Sequence, residues 1–240
     1  TACELKPGEC GIADQTLFVP SPRLWSPDSP QLYEAYTQVY RDDSLADDCA
    51  TAFGIRDIVL DPGRGMMLNG EPIKLKGVCI HHDLGCLGAA FHEQAMERRL
   101  RVLKSIGCNA IRFSHNPMAP ELLDLCDRIG FLVIDEAFDK WKSLSYEPMF
   151  EAWWRADLAS MIRRDRNHPC VFLWSVGNEV ENQGQPEMLD ILGMLVDYCH
   201  ELDPTRPATC ALEPHNWPRS LFYGPIEEKV KVTRKLAEKV

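Results

Sequence analysis

Basic residues are in short supply: 26 lysines and arginines stand against 36 aspartates and glutamates, a formal net charge of -10 over 240 residues. So acidic a balance lacks the basic patch with which a nucleic-acid binder displaces counterions. Also missing is any run of eighteen apolar residues, which excludes a membrane-spanning helix. The ten cysteines, at 3, 10, 49, 79, 86, 108, 126, 170, 199 and 210, contain no C-x-x-C pair and no regular spacing. Several lie in apolar runs, such as Cys79 in KLKGVCI and Cys170 in PCVFLW, so buried free thiols are the better reading. With no signal peptide in view, free thiols favour a reducing, cytoplasmic setting. The first residue is Thr rather than Met, so an upstream piece is expected to be missing. Apolar residues are plentiful at 45%, with 26% charged, which excludes a disordered or collagen-like chain.

Residues 16–60 have the look of strands. TLFVP, LYEAYTQVY and CATAFGIRDIVL are short runs rich in aromatic and β-branched side chains. The prolines of SPRLWSPDSP forbid helix between them, and DPGRGMMLNGEP at 61–72 reads as turns with a hairpin signal at Asn69-Gly70. Beyond residue 62 the rhythm changes. Short β-runs are expected at Ile73–Ile80, Ala110–Phe113, Phe131–Ile134, Val171–Val176 and Pro207–Leu212. Helical spacing is expected between them, at Glu93–Ile106, Pro120–Ile129, Glu151–Arg166 and about Glu187–Leu202. Met96, Leu100, Leu103 and Ile106 form one apolar stripe, and Gly107 and Gly130 sit where C-caps belong.

Strands alternating with helices at this spacing indicate right-handed βαβ units and a parallel sheet. Polar residues gather just after the strands: His81-His82-Asp83, Ser114-His115-Asn116, Asp135-Glu136 and Asn178-Glu179. Four consecutive strand ends carrying such side chains favour a β/α barrel over a doubly wound sheet, which binds ligands only at its switch point. No strand is followed by a glycine-rich phosphate loop, which weighs against a nucleotide fold. In WSVGNEVENQ, Glu179 leaves the end of a buried strand with Asn178 beside it. A carboxyl group at the rim of an apolar core suits a general acid, and a neighbouring amide can hold a sugar hydroxyl. A Glu at a helix start can equally serve only to oppose the dipole.

These motifs in order, AIRFSHNP, FLVIDEA, RDRNHP and LWSVGNE, preceded by LWSPDSPQLY and FGIRDI, resemble glycoside hydrolase family 2. That family holds β-galactosidases, β-glucuronidases and β-mannosidases, and the resemblance runs over roughly residues 16–219. It implies the last strands of an immunoglobulin-like sandwich at 1–62, then the first part of a (β/α)8 TIM barrel at 63–220. About five barrel strands are expected, with a charged helical tail at 221–240. It further implies hydrolysis of β-linked glycosides, with a small carbohydrate such as a β-galactoside as partner. Glu179 falls on the acid/base and Asn178 on the neighbour that contacts the sugar 2-hydroxyl. His115 and His81 fall on histidines lining the sugar site, Asp83 on a position that holds sugar hydroxyls, and Arg112 on a supporting basic residue.

Simpler roles stay open for several of these. Arg112 could form a salt bridge with Asp135 inside the barrel, and Trp141 could be a stacking platform or a loop anchor. A metal on His81, His82 and Asp83 is disfavoured, because adjacent strand residues point to opposite sides. Some relatives place a magnesium-binding Glu and His just after DEA; here FDKWKS puts Lys140 and Lys142 there, and a protonated lysine cannot ligate. No metal or other cofactor is therefore expected.

Retaining glycosidases use two carboxyl groups about 5–5.5 Å apart. The resemblance places the nucleophile near the seventh barrel strand, and Glu181, Glu187 and Glu213 match no such motif. A whole barrel takes about 250 residues and a sandwich about 100. The expectation is thus a piece of a larger exo-glycosidase, inactive alone, whose open barrel edge favours self-association.

Overall fold

The protein is described by a computed structural model, which covers residues 2, 4–143, 146–181, 183 and 185–213. The helical tail expected at 221–240 lies outside the described residues. Strands β1 (Tyr33–Arg41) and β2 (Ser44–Phe53) form an antiparallel hairpin. Next comes a small antiparallel meander of β3 (Ile58–Asp61), β4 (Gly65–Leu68) and β5 (Glu71–Pro72). The Asn69-Gly70 signal is realised between β4 and β5, where φ is 54° and 83°. Two successive left-handed residues match the strand twist, and Asn and Gly tolerate that conformation best.

The remainder alternates strictly: β6 (Gly77–Ile80), α1 (Glu93–Ser105), β7 (Ala110–Phe113), α2 (Pro120–Ile129), β8 (Leu132–Glu136), α3 (Glu147–Asp165), β9 (Val171–Asn178), α4 (Pro186–Leu202) and β10 (Ala208–Ala211). The five strands lie parallel in the spatial order β10-β9-β8-β7-β6. Spatial order therefore follows chain order without reversal. A doubly wound sheet would reverse direction at its switch point; consecutive strands of a β/α barrel do not.

Several local expectations need correction. TLFVP forms no strand, and Phe18 is 88% exposed. β-propensity alone cannot satisfy backbone groups without a partner strand. CATAFGIRDIVL divides into β2 and β3, because Gly54 to Arg56 turn aside to dock on the barrel. The stretch read as turns contains β4 and β5, and the first barrel strand shortens to Gly77–Ile80. Helix α3 starts at Glu147, before the expected Glu151. Ile106 lies past the end of α1 and is exposed, so it leaves the stripe formed by Met96 and Leu100.

Helix α2 illustrates how local sequence sets the geometry. Pro120 opens it, where a missing N–H costs nothing, and Gly130 closes it at φ 86°. A Cβ on Gly130 would meet the Pro27 carbonyl oxygen at 2.2 Å, so only glycine admits the N-terminal segment here.

The same segment is pinned beneath the strands. The indole of buried Trp25 donates to the Asp127 carbonyl at 2.9 Å. The Arg56 guanidinium donates to the Pro169 and Val171 carbonyls at 2.8 and 2.6 Å, and Arg206 also donates to Val171. Burial, with the charge of Arg206 adding to it, lowers the Arg56 pKa to about 10. Asp127 gathers the turn before β9, accepting from His168 at 2.6 Å and from the Cys170 N–H at 2.9 Å. Asp127, His168 and Cys170 cluster as metal ligands would, but hydrogen bonds occupy both Asp127 oxygens.

Strand period two sends adjacent residues to opposite faces. Asp135 thus points outward to α3 while Glu136 points to the other side of the sheet. Asp135 is fully buried beside Asp165, whose carboxylate Arg164 clamps at 2.6 and 2.8 Å. Among the described residues no side-chain donor reaches either Asp135 oxygen. Burial first, and the neighbouring Asp165 charge second, push the Asp135 carboxyl well above the carboxylate range, so it stays neutral and can donate to Asp165.

Two stability predictions follow from these contacts. Trp25→Ala should cost about 3–5 kcal/mol, the range for deleting a buried large aromatic, in urea unfolding followed by circular dichroism. The raised Asp135 pKa contributes stability that is complete below its unfolded value of about 3.9 and fades as pH climbs towards the folded value. Asp135→Asn cannot ionise, so its urea midpoint should fall less between pH 5 and 8 than that of the parent chain. Equal falls would contradict a neutral Asp135.

Candidate active site

At the C-terminal ends of the strands the side chains converge on Glu136, which has no exposed surface. Arg112, from β7, donates through Nε at 3.1 Å and through Nη2 at 2.7 Å to one Glu136 oxygen. His115 Nδ1 lies 2.8 Å from the other oxygen, and the Ser175 hydroxyl of β9 donates at 2.6 Å. Arg112 Nη2 also donates to Asn178 Oδ1 at 2.7 Å. Three strands and the loop after β7 are thereby joined through one carboxylate. Burial alone would disfavour the Arg112 charge, but bonding to Glu136 outweighs it and raises the guanidinium pKa.

Asn178 carries the array towards Glu179. Its Nδ2 donates to Asp139 Oδ1 at 2.9 Å, and its carbonyl accepts from Lys140 Nζ at 2.9 Å. Lys140 also bonds Asp139 at 2.9 Å and stands 3.8 Å from the Glu179 carboxylate. Burial works to raise the Asp139 carboxyl, but bonds from Lys140 and Asn178 overcome it and leave it lowered. Glu179 itself adopts φ 47°, with its N–H donating to the Ala211 carbonyl at 2.9 Å. A non-glycine residue held left-handed stores about 1–3 kcal/mol, which surrounding contacts must offset. Its carboxylate is half-exposed while the residues behind it are buried.

The sequence-derived residues separate into two groups. Arg112, His115, Asn178 and Glu179 are assembled as described, and the His81 ring meets His115 edge-on at 5.1 Å between centroids. His82 turns the other way, to the Pro117 carbonyl at 3.2 Å. Asp83 does not join them: 66% exposed, it is engaged by Arg99 of α1 at 2.9 Å. Trp141 is no open platform for a sugar ring. It is 1% exposed, and its indole donates to the Val176 carbonyl at 2.7 Å, so it anchors its loop beneath the site. Gly177 makes room for it, since a Cβ there would lie 2.9 Å from the indole nitrogen. Arg112 pairs with Glu136 and not with Asp135, which faces away.

Sequence reasoning missed the centrality of Glu136 and the parts played by Ser175, Asp139 and Lys140. Ser175 is the register partner of Glu136, a relation that strand pairing alone exposes. Lys140, whose charge makes it unfit to bind a metal, braces the Asn178–Glu179 turn. Cys210, at the end of β10, also borders the site; burial first and Glu136 second push its thiol up to about 12.

Known proteins share this fold. A family model described as "Glycosyl hydrolases family 2, TIM barrel domain" matches residues 62–221, and one described as "Glycosyl hydrolases family 2" matches residues 3–56. A β-galactosidase of Bacteroides ovatus is 43% identical over 254 aligned positions, covering 91% of this chain and 30% of the relative. A crystal structure of a glycosyl hydrolase family 2 member from Bacteroides cellulosilyticus superposes with a TM-score of 0.77. It is 46% identical and covers 80% of this chain and 25% of that one. A β-glucuronidase from Parabacteroides merdae gives a TM-score of 0.71 at 30% identity, covering 80% of this chain and 24% of its own. The chain thus spans under a third of the length of these relatives. With two thirds of its residues matched by the barrel model alone, it belongs to glycosyl hydrolase family 2.

Proposed function

We propose that the chain forms the acid/base half of a retaining β-glycosidase site that accepts β-galactosides. The observation that carries this reading is the array of Arg112, His115 and Asn178 fixed on Glu136 beside the half-exposed Glu179. With Nδ1 turned to the Glu136 carboxylate, His115 leaves Nε2 to meet a sugar hydroxyl. Asn178 spends its oxygen on Arg112 and one amide hydrogen on Asp139, leaving the second hydrogen for another sugar hydroxyl. Glu179 then protonates the departing glycosidic oxygen and, in the second step, takes a proton from the attacking water. The galactoside preference leans on likeness to the Bacteroides ovatus β-galactosidase.

A second carboxyl group must act as nucleophile. Glu136 is unsuited: it is buried and accepts from Arg112, His115 and Ser175. Asp139 is held by Lys140 and Asn178. On this reading the 240-residue chain binds a glycoside without turning it over, and those occupied carboxylates equally favour a non-catalytic sugar-binding role.

Titration calorimetry with methyl β-galactoside should detect binding that His115→Ala or Asn178→Ala weakens about tenfold, as loss of one or two sugar hydrogen bonds implies. The chain should release no nitrophenol from its β-galactoside. Release that disappears in Glu179→Gln would establish hydrolysis by the chain alone and refute the missing nucleophile. Neither binding nor release would refute the sugar site itself.

A further inference from the structure

Within the array of strand-end side chains, one fixed carboxylate oxygen is left unspent. Glu136 uses both of its oxygens, meeting Arg112 and His115 with one and Arg112 and Ser175 with the other. Asp139, in the loop after β8, differs. Its Oδ1 accepts from Asn178 Nδ2 and from Lys140 Nζ, both at 2.9 Å, while Oδ2 has no hydrogen-bond partner among the described residues. The side chain is 46% exposed, and Oδ2 is open to solvent. We propose that Asp139 Oδ2 accepts a hydrogen bond from the sugar hydroxyl that Asn178 binds, which makes Asp139 a specificity-determining residue; the inference rests on the reading of the Asn178 amide as a sugar contact.

Rigidity is the first argument. The Asn178 N–H donates to the Asp139 carbonyl at 3.0 Å, so backbone and side chain both join the two residues. Lys140 clasps the pair from the other side, bonding the Asp139 carboxylate and the Asn178 carbonyl. Oδ2 is thereby fixed close to the second amide hydrogen of Asn178 before any ligand arrives. An acceptor already in place costs little ordering entropy on binding.

Charge and hydrogen-bond polarity are the second argument. Burial favours the neutral acid, but Lys140 and Asn178 hold the Asp139 carboxyl below its usual range, so Oδ2 is an ionised acceptor. Such acceptors bind hydroxyls more strongly than neutral oxygens do. A hydroxyl both donates and accepts, and this pair offers one of each: an N–H from Asn178 and an oxygen from Asp139. An ether or ester in place of that hydroxyl has no hydrogen to give, and a sulfate would set its own charge against Oδ2. The pair therefore selects glycosides that are unsubstituted at that hydroxyl.

Titration calorimetry tests this with methyl β-galactoside and its monodeoxyfluoro analogues, in the 240-residue chain and in Asp139→Asn. Fluorine can accept from Asn178 but has no hydrogen for Asp139. In the parent chain one analogue, fluorinated at the shared hydroxyl, should bind about tenfold more weakly than methyl β-galactoside. Asp139→Asn keeps an oxygen for Lys140 and Asn178 and replaces Oδ2 by an amide that donates. It should bind methyl β-galactoside about tenfold more weakly than the parent does, and that analogue no more weakly than methyl β-galactoside. The other analogues should keep their parent penalties, which a general loosening of the site would not preserve. Circular dichroism verifies folding, and Asp139→Ser, which also lacks Oδ2, supplies the same comparison should the Asn variant not fold. A fluorine penalty that persists in the folded variant, or unchanged affinity of that variant for methyl β-galactoside, would overturn the Asp139 contact while the Asn178 reading stands. Failure of the parent chain to bind methyl β-galactoside would overturn both.

Discussion

One buried carboxylate organises the functional end of this fold. Glu136 has no contact with solvent and accepts hydrogen bonds from a guanidinium, an imidazole and a hydroxyl drawn from β7, its following loop and β9. An uncompensated charge at that depth would be untenable, and breaking one such buried pair typically costs about 3–5 kcal/mol. The side chains around it are therefore not free to rotate independently. Arg112 can be in place only if β7 and β8 are in register, and Ser175 only if β9 is. The cluster reports on the sheet as much as on the site.

What lies below supports what lies above. At the opposite ends of the strands, Trp25 and Arg56 tie the N-terminal segment to Asp127, Pro169 and Val171. Arg206 binds Val171 as well, so the start of β9 is gripped from both sides of the chain. The other end of β9 is where Asn178 and Glu179 emerge. A strand fixed at its base can hold a strained left-handed residue at its tip, which a loop of similar sequence would let relax. Lys140 completes the support by bonding the Asn178 carbonyl and Asp139 together.

Much of the barrel was legible because its signals are local. Helical spacing, Pro120 and Gly130 mark α2 almost to the residue, and the GNE turn announces a polar residue leaving a buried strand. Other features depend on partners far away in sequence. TLFVP has the composition of a strand but nothing to pair with among the described residues. Trp141 has the composition of a sugar platform, yet the absence of a Cβ at Gly177 draws it beneath the loop. Asp83 follows a strand as a ligand-binding residue should, but Arg99, one helix later, claims it. Glu136 is a case of the same kind: its importance comes from three partners that only strand register brings together.

On the proposed reading Glu136, not Glu179, builds the sugar-binding surface, whereas Glu179 performs the proton transfer. Calorimetric affinity for methyl β-galactoside in Glu136→Gln and Glu179→Gln separates the two roles most directly, with circular dichroism verifying that each variant keeps its helices. Glu136→Gln should lose at least about tenfold in affinity, because it releases Arg112 and His115 together, while Glu179→Gln should bind as the parent does. Unchanged affinity in folded Glu136→Gln would contradict the account.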